Sequence, residues 1–272
     1  MFGATGMLGR AVVQAAPPSW QVSPSTRDDL DITDAAAVLA RMRADAPDWV
    51  INCAAYTRVD AAEIDPEAWR VNAEAPGVIG TAAVHVAASV VHVSTDYVFN
   101  GTLGHPYRED DAPNPLGAYG RSKLAGELAL RSSGAKSLIL RAQWLYGDGG
   151  LSFVATMRDR AANGLASRVV SDQLGAPTHT DALAEMIWRL VLADARGVVH
   201  GAASGEASWF DVARDVYSVV GASESLVTPC TTAEYGALAP RPLDGRLDCS
   251  RYRSLTGQAP EDWRAALRRY LG

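Results

Sequence analysis

Residues 3–9 read GATGMLG, a G-x-x-G-x-x-G loop that runs straight into an amphipathic stretch, MLGRAVVQAA. Gly3 and Gly6 permit a tight turn and close backbone approach to a pyrophosphate. Gly9 lets the following helix pack near a sheet, with the phosphates at that helix's N-terminus. Alone, a glycine triad marks an ordinary structural turn as readily. Followed by alternating strands and helices, it points to a dinucleotide-binding fold.

That alternation is present. WVINCAA (49–55), SVVHVST (89–95) and SLILRAQWLYG (137–147) read as buried strands. Before and between them, TDAAAVLARMRADAP (33–47), DPEAWRVNAEAPGVIGTAAVHVAA (65–88) and YGRSKLAGELALRSSG (119–134) read as helices, the first with a Thr/Asp start and a proline stop, the last with a glycine past its end. Strands separated by helices predict an α/β chain, a Rossmann-type doubly wound parallel sheet. From about Asp148 the alternation becomes irregular and loop-rich, punctuated by Pro177, Pro229, Pro240, Pro242 and Pro260, which suggests a smaller substrate-binding lobe over the strand ends. The expected division is a nucleotide-binding domain at 1–147, joined by 178–203, and a lobe at 148–177 and 204–272.

One feature conflicts with this scheme. The fold needs a strand before the glycine loop, and only Met1 and Phe2 precede it. At about 3.3 Å per residue, two residues make no useful central strand. The expectation is a start lying upstream, or a severely truncated first strand.

Bulk properties narrow the function classes. The chain has 272 residues, 48% hydrophobic, enough for a sizeable core. A net charge of −6 lacks the basic stripe of a nucleic-acid binder, so an anionic ligand must be held locally, by helix N-termini and a few arginines. The three cysteines and five histidines show no disulfide or metal spacing. No apolar run reaches about 18 residues, and no signal peptide is visible. These features read as a cytoplasmic protein without a metal, a membrane span or a nucleic-acid partner.

The chemistry is carried by Thr95 and by Tyr119 and Lys123 in AYGRSK. Tyrosine and lysine four residues apart share a helical face, where the ammonium favours the phenolate and a proton can move to or from an oxygen. After the expected second strand, STRDDLDITD (25–34) brings Arg27 ahead of any acidic residue. Arginine there suits a 2′-phosphate and favours NADPH over NADH, although a solvated loop charge is an equal reading. Asp31 and Ile32 fall where an adenine edge would lie.

GATGMLG, NCAAYT, STDYVF, YGRSK and RAQWLYG occur in this order, with VNAEAP (71–76), SDQLGAPT (171–178) and RPLDGRLD (241–248). The set resembles the extended short-chain dehydrogenase/reductase superfamily and, within it, the dTDP-4-dehydrorhamnose reductases, over nearly the whole chain. The resemblance implies NADPH-dependent reduction of the C4 ketone of dTDP-4-dehydro-L-rhamnose to dTDP-L-rhamnose. It implies Tyr119 as proton donor, its pKa lowered by Lys123 and the nicotinamide charge. Lys123 would hold the nicotinamide ribose, and Thr95 would donate to the ketone oxygen. The cofactor would be lined by Gly3, Thr5, Gly6, Met7, Leu8, Gly9, Arg27, Asp31, Ile32, Ala54, Ala55, Thr57, Tyr119 and Lys123.

Substrate contacts would come from Thr95, Asp96, Tyr97, Trp144, Arg241 and Arg246. Trp144 would stack on sugar or base, or belong to the core. The two arginines would grip a diphosphate, or pair with Asp244 or Asp248. Asp172 and Gln173 would hydrogen-bond near the same pocket, and Asn72 would brace the active-site strand or only pack. Thr95-Asp96-Tyr97 lacks the Asp-Glu that follows the threonine of the superfamily's dehydratases, which argues against dehydration. Ala11 stands where some members carry a glutamate for an intersubunit magnesium, so a homodimer without bridging metal is expected. Two other readings remain: reduction of another dTDP-4-keto-deoxysugar, or a non-catalytic NADP-binding regulatory subunit like that of methionine adenosyltransferase.

Overall fold

The computed structural model describes residues 1–272. Its centre is a parallel sheet in which β1 (Trp49–Asn52), β2 (Ser89–Thr95), β3 (Ser137–Ala142) and the strand Gly197–Gly201 lie side by side in that order. Ile51 lies opposite Val91, His92 opposite Ile139, and Leu140 opposite Val199. Phe2 adds one more position, forming parallel bridges with Asn52 on one side and Ser25 on the other. Its N–H donates to the Ile51 carbonyl (3.0 Å), and its carbonyl accepts from Cys53 (3.1 Å). The first strand therefore occupies its place in the sheet but is reduced to a single bridging residue.

The sheet is wound on both faces because its strands alternate with period two. Ile51, Val91, Leu138 and Leu140 face α1 (Met7–Gln14) and the helices Thr180–Leu192 and Ser250–Thr256. Val50, Val90 and Ile139 face α2 (Ala35–Asp45) and the helices Ala75–His85 and Ala118–Ser132. From Phe2 the chain passes through α1 to Ser25 on one side, then through α2 to β1 on the other. Phe2 is thus the switch point of the sheet, beside which α/β folds bind their ligands.

Two expected elements are interrupted. The helix expected over 65–88 contains a π turn at Arg70–Glu74 before it restarts at Ala75. Pro76 has no N–H to donate to the Asn72 carbonyl, so the α ladder breaks there. The strand expected over 137–147 stops at Ala142, because Trp144 takes a left-handed φ of 47°. Leu145–Tyr146 then leaves the sheet to pair with Thr178–His179.

The expectation of an irregular, loop-rich region after Asp148 is overturned. Residues 148–272 carry the helices Phe153–Ala162, Thr180–Leu192, Trp209–Val219, Ser250–Thr256 and Trp263–Leu271. Three of them, Phe153–Ala162, Trp209–Val219 and Trp263–Leu271, share a separate core that joins Val154, Met157, Val212, Val216, Trp263 and Leu267. The prolines that suggested loops fall mostly between these elements. Pro229 lies in the strand Val227–Cys230, which pairs on one side only.

Candidate active site

The glycine loop turns at Gly3, whose φ of 75° favours glycine. A Cβ on Gly9 would collide with the Gly3 carbonyl oxygen, so Gly9 brings α1 against the loop itself rather than against the sheet. Gly6 caps α1 without a side-chain hydrogen bond, which leaves the first N–H groups of the helix free for an anion. A cavity of about 210 Å³ opens here, lined by Gly3, Thr5, Gly6, Arg27, Asp31 and Ala54 among others. Ile32 and Ala55 also line it. Thr57 is exposed and lies outside it, and the Leu8 side chain is buried in the core beneath, so Leu8 can offer a ligand only its backbone. A dinucleotide's phosphates fit this loop, because close backbone approach and uncapped donors coincide.

Arg27 projects from the cavity rim with 83% of its side chain exposed and pairs with Glu67 at 3.1 Å. The Asp31 carboxylate accepts from Thr33 and lies 3.8 Å from Arg70, and both interactions hold it below the usual carboxylate range, the Thr33 hydrogen bonds foremost. Asn72 fixes the facing loop. Its side chain accepts from the Tyr56 N–H (2.9 Å) and donates to the Tyr56 carbonyl and the Ser122 hydroxyl. It therefore braces the loop after β1 against helix Ala118–Ser132, by hydrogen bonds as well as packing.

Thr95 ends β2, and Tyr119 and Lys123 lie in the first two turns of helix Ala118–Ser132. The Thr95 hydroxyl donates to Asp96 (3.0 Å) and accepts from the Tyr97 N–H (3.2 Å). Tyr97 packs edge-on against Tyr119, ring centres 5.5 Å apart. Burial pushes the Tyr119 phenol up to about 12, partly offset by the Thr95 hydroxyl. Burial therefore outweighs the lowering expected from Lys123. The Lys123 ammonium instead donates to the Val93 carbonyl (2.7 Å), and burial takes its own pKa down to about 8, opposed by Glu127. A phenol that keeps its proton at neutral pH is suited to giving it up as an acid. Asp96, fully enclosed, is raised by burial to about 6, against the hydrogen bonds from Gln143 and Thr95.

The C-terminal contacts divide. Arg241 pairs with Asp60 (2.9 Å) and acts on the neighbouring Tyr97, close to the Tyr119 ring. Arg246 is engaged elsewhere, forked onto Asp244 (2.8 and 2.7 Å) and held by Glu206. The expected Asp244 pairing thus holds for Arg246, whereas Arg241 pairs with neither Asp244 nor Asp248. Asp172 and Gln173, expected near the pocket, hydrogen-bond Thr232 at the start of a short helix and shape that turn.

Trp144 stacks face to face on Trp209, ring centres 3.7 Å apart, and Phe153 tilts against Trp209. All three are half-buried. The sequence reading missed Trp209. It also missed Gln143, a buried hub that donates to Asp96 and the Gly245 carbonyl and accepts from Ala176. A glutamine inside the apolar run SLILRAQ was the available signal for Gln143.

The fold, the loop and the Tyr–Lys pair define a Rossmann-type protein of the short-chain dehydrogenase/reductase class. A family model described as "RmlD substrate binding domain" matches residues 1–272. The chain is 43% identical to a dTDP-4-dehydrorhamnose reductase of Mycolicibacterium smegmatis over 271 residues, covering 97% of this chain and 82% of the relative. It is also 43% identical to a probable dTDP-4,6-dihydroxy-2-methyloxan-3-one 4-ketoreductase of Streptomyces antibioticus, covering 98% and 92%. The crystal structure of a dTDP-4-dehydrorhamnose reductase from Bacillus anthracis, in complex with NADP, superposes with a TM-score of 0.95 at 34% identity, covering 99% and 96%. The chain belongs to the dTDP-4-dehydrorhamnose reductase family.

Proposed function

We propose that the protein reduces the C4 ketone of dTDP-4-dehydro-L-rhamnose to the alcohol of dTDP-L-rhamnose, with NADPH as reductant. The observation that carries this reading is the Thr95 hydroxyl at the end of β2 within hydrogen-bond reach of Tyr119, one helical turn before Lys123, in a chain of this family. NADPH would be held by the backbone of Gly3–Gly9, with Arg27 at the 2′-phosphate, and when bound supplies a hydride.

The remaining steps belong to the protein. Thr95 orients the ketone oxygen by turning its hydroxyl from Asp96 to the substrate. Tyr119 gives its phenolic proton to that oxygen as negative charge develops there. Lys123 stabilises the phenolate left behind and carries a ribose hydroxyl. Arg241, beside Tyr97, meets substrate diphosphate oxygens, and the Trp144–Trp209 pair offers a flat wall to the sugar nucleotide. Arg246, already committed to two carboxylates, contributes by shaping the segment.

The Streptomyces antibioticus relative, at equal identity, supports a second reading in which another dTDP-4-keto-deoxysugar is the substrate. Assaying NADPH oxidation over a panel of dTDP-4-keto sugars, with NMR of the products, separates the two. Complete absence of oxidation across the panel would favour an NADP-binding regulatory protein. Ala11 is buried in the core against the sheet. No side chain at that position faces outward to share a metal, and activity is expected to survive EDTA.

A further inference from the structure

Tyr119, Lys123 and Glu127 follow one another at intervals of four along one face of helix Ala118–Ser132. Glu127 is 2% exposed, and its carboxylate is fully engaged. Arg141 of β3 grips it with two hydrogen bonds (3.0 and 2.7 Å), and the Ser94 hydroxyl donates to it at 2.5 Å. Ser94 immediately precedes Thr95, and the Lys123 ammonium reaches the Val93 carbonyl one residue earlier. The end of β2 is therefore bolted twice to the helix that carries Tyr119.

The other titratable groups around Lys123 carry no negative charge. Cys53, after β1, is pushed up to about 12 by burial and stays a thiol. His92, on β2, is held well below its ordinary value by burial and stays neutral. Tyr119 stays a phenol. Glu127 is the one carboxylate acting on the lysine.

We infer that Glu127, clamped by Arg141 and Ser94, is a positioning residue. It supplies the fixed counter-charge that keeps buried Lys123 protonated, and it ties Thr95 to the Tyr119 helix. A salt bridge this deep is weak evidence of a stabilising role, since buried pairs are often replaceable by apolar ones. Its place one turn beyond Lys123, and its hydrogen bond to Ser94 one residue before Thr95, give it a functional reason.

The chain contains two lysines, Lys123 and exposed Lys136, so [13Cε]lysine labelling yields two methylene signals. The Lys123 signal can be titrated in the full-length protein without turnover. In Glu127→Gln the Lys123 midpoint is expected to fall by about one pH unit or more. The alkaline limb of kcat/KM for NADPH oxidation should move down with it, so that activity is rescued at lower pH. Glu127→Gln leaves Arg141 buried and unpaired and can unfold the protein. The double variant Glu127→Gln/Arg141→Met removes both charges and should still lower the midpoint. An unchanged midpoint in whichever variant folds overturns the inference.

The role rests on the proposed catalytic reading, and the two fail differently. A lowered midpoint in a protein that oxidises no NADPH refutes the catalytic reading and leaves the counter-charge. Normal turnover, lost in Tyr119→Phe, with an unmoved midpoint refutes the counter-charge alone.

Discussion

At the scale of single residues, burial rather than charge pairing sets the protonation states of this site. Tyr119 is raised and Lys123 lowered by the same desolvation, so a neutral phenol sits one helical turn from an ammonium held near its own midpoint. Asp96 gives a stability test with a definite sign. Its carboxyl sits at about 6 when folded, above the ordinary value of 3.8, so the fold prefers the protonated form. Stability is therefore favoured at low pH and given up as pH rises from about 4 to about 6. The melting temperature of Asp96→Asn relative to wild type should climb across that window and level off above it. A difference flat with pH would show that Asp96 does not titrate there. Arg27 is exposed and loosely paired, free to turn to a 2′-phosphate. Arg27→Ala should weaken NADPH about tenfold, the scale of a charge-assisted hydrogen bond, and leave NADH nearly unchanged. Equal losses for both would remove Arg27 from cofactor choice.

At the scale of elements, the first strand is the weak point of the sheet. A groove of about 550 Å³ lies beside Met1, walled by Trp20 and Val22 on one side and Trp49 and Val50 on the other. The Met1 ammonium is tucked in and donates to the Ser23 carbonyl (2.7 Å), and burial lowers its pKa. Adding four apolar residues ahead of Met1 would continue the Phe2 bridges between these walls and remove a buried charge. The extended chain is expected to melt several degrees higher; equal midpoints would contradict this.

The same elements show what sequence reveals. Ser89–Thr95 and Ala118–Ser132 were legible almost to the residue, because a buried strand and a capped amphipathic helix are local patterns. The π turn at Asn72 went unread although its cause, Pro76, lies only four residues on, and the break at Trp144 was not legible because that tryptophan stacks on Trp209, distant in sequence. Glu127 lay in plain view four residues after Lys123, but its clamp needs Arg141 from the next strand. Trp209 emerged only when the C-terminal helices brought it to Trp144. Those helices were obscured because the prolines between them looked like continuous loop.

At the scale of the molecule, the chain sets a nucleotide cavity at the switch point of a doubly wound sheet. An aromatic and arginine-bearing wall, drawn largely from residues after 143, stands beside it. Thr95 reaches Tyr119, and Tyr97 links the Tyr119 ring to Arg241. In the proposed reaction a hydride donor on one side and a sugar ketone on the other would meet at a single proton source. The central claim is that Tyr119 is that source. Stopped-flow NADPH oxidation with dTDP-4-dehydro-L-rhamnose, compared between wild type and Tyr119→Phe, tests it most directly when NADPH affinity is measured in parallel by fluorescence. The expected result is turnover reduced by about two orders of magnitude or more with NADPH affinity within about threefold. Turnover in Tyr119→Phe equal to wild type would contradict it.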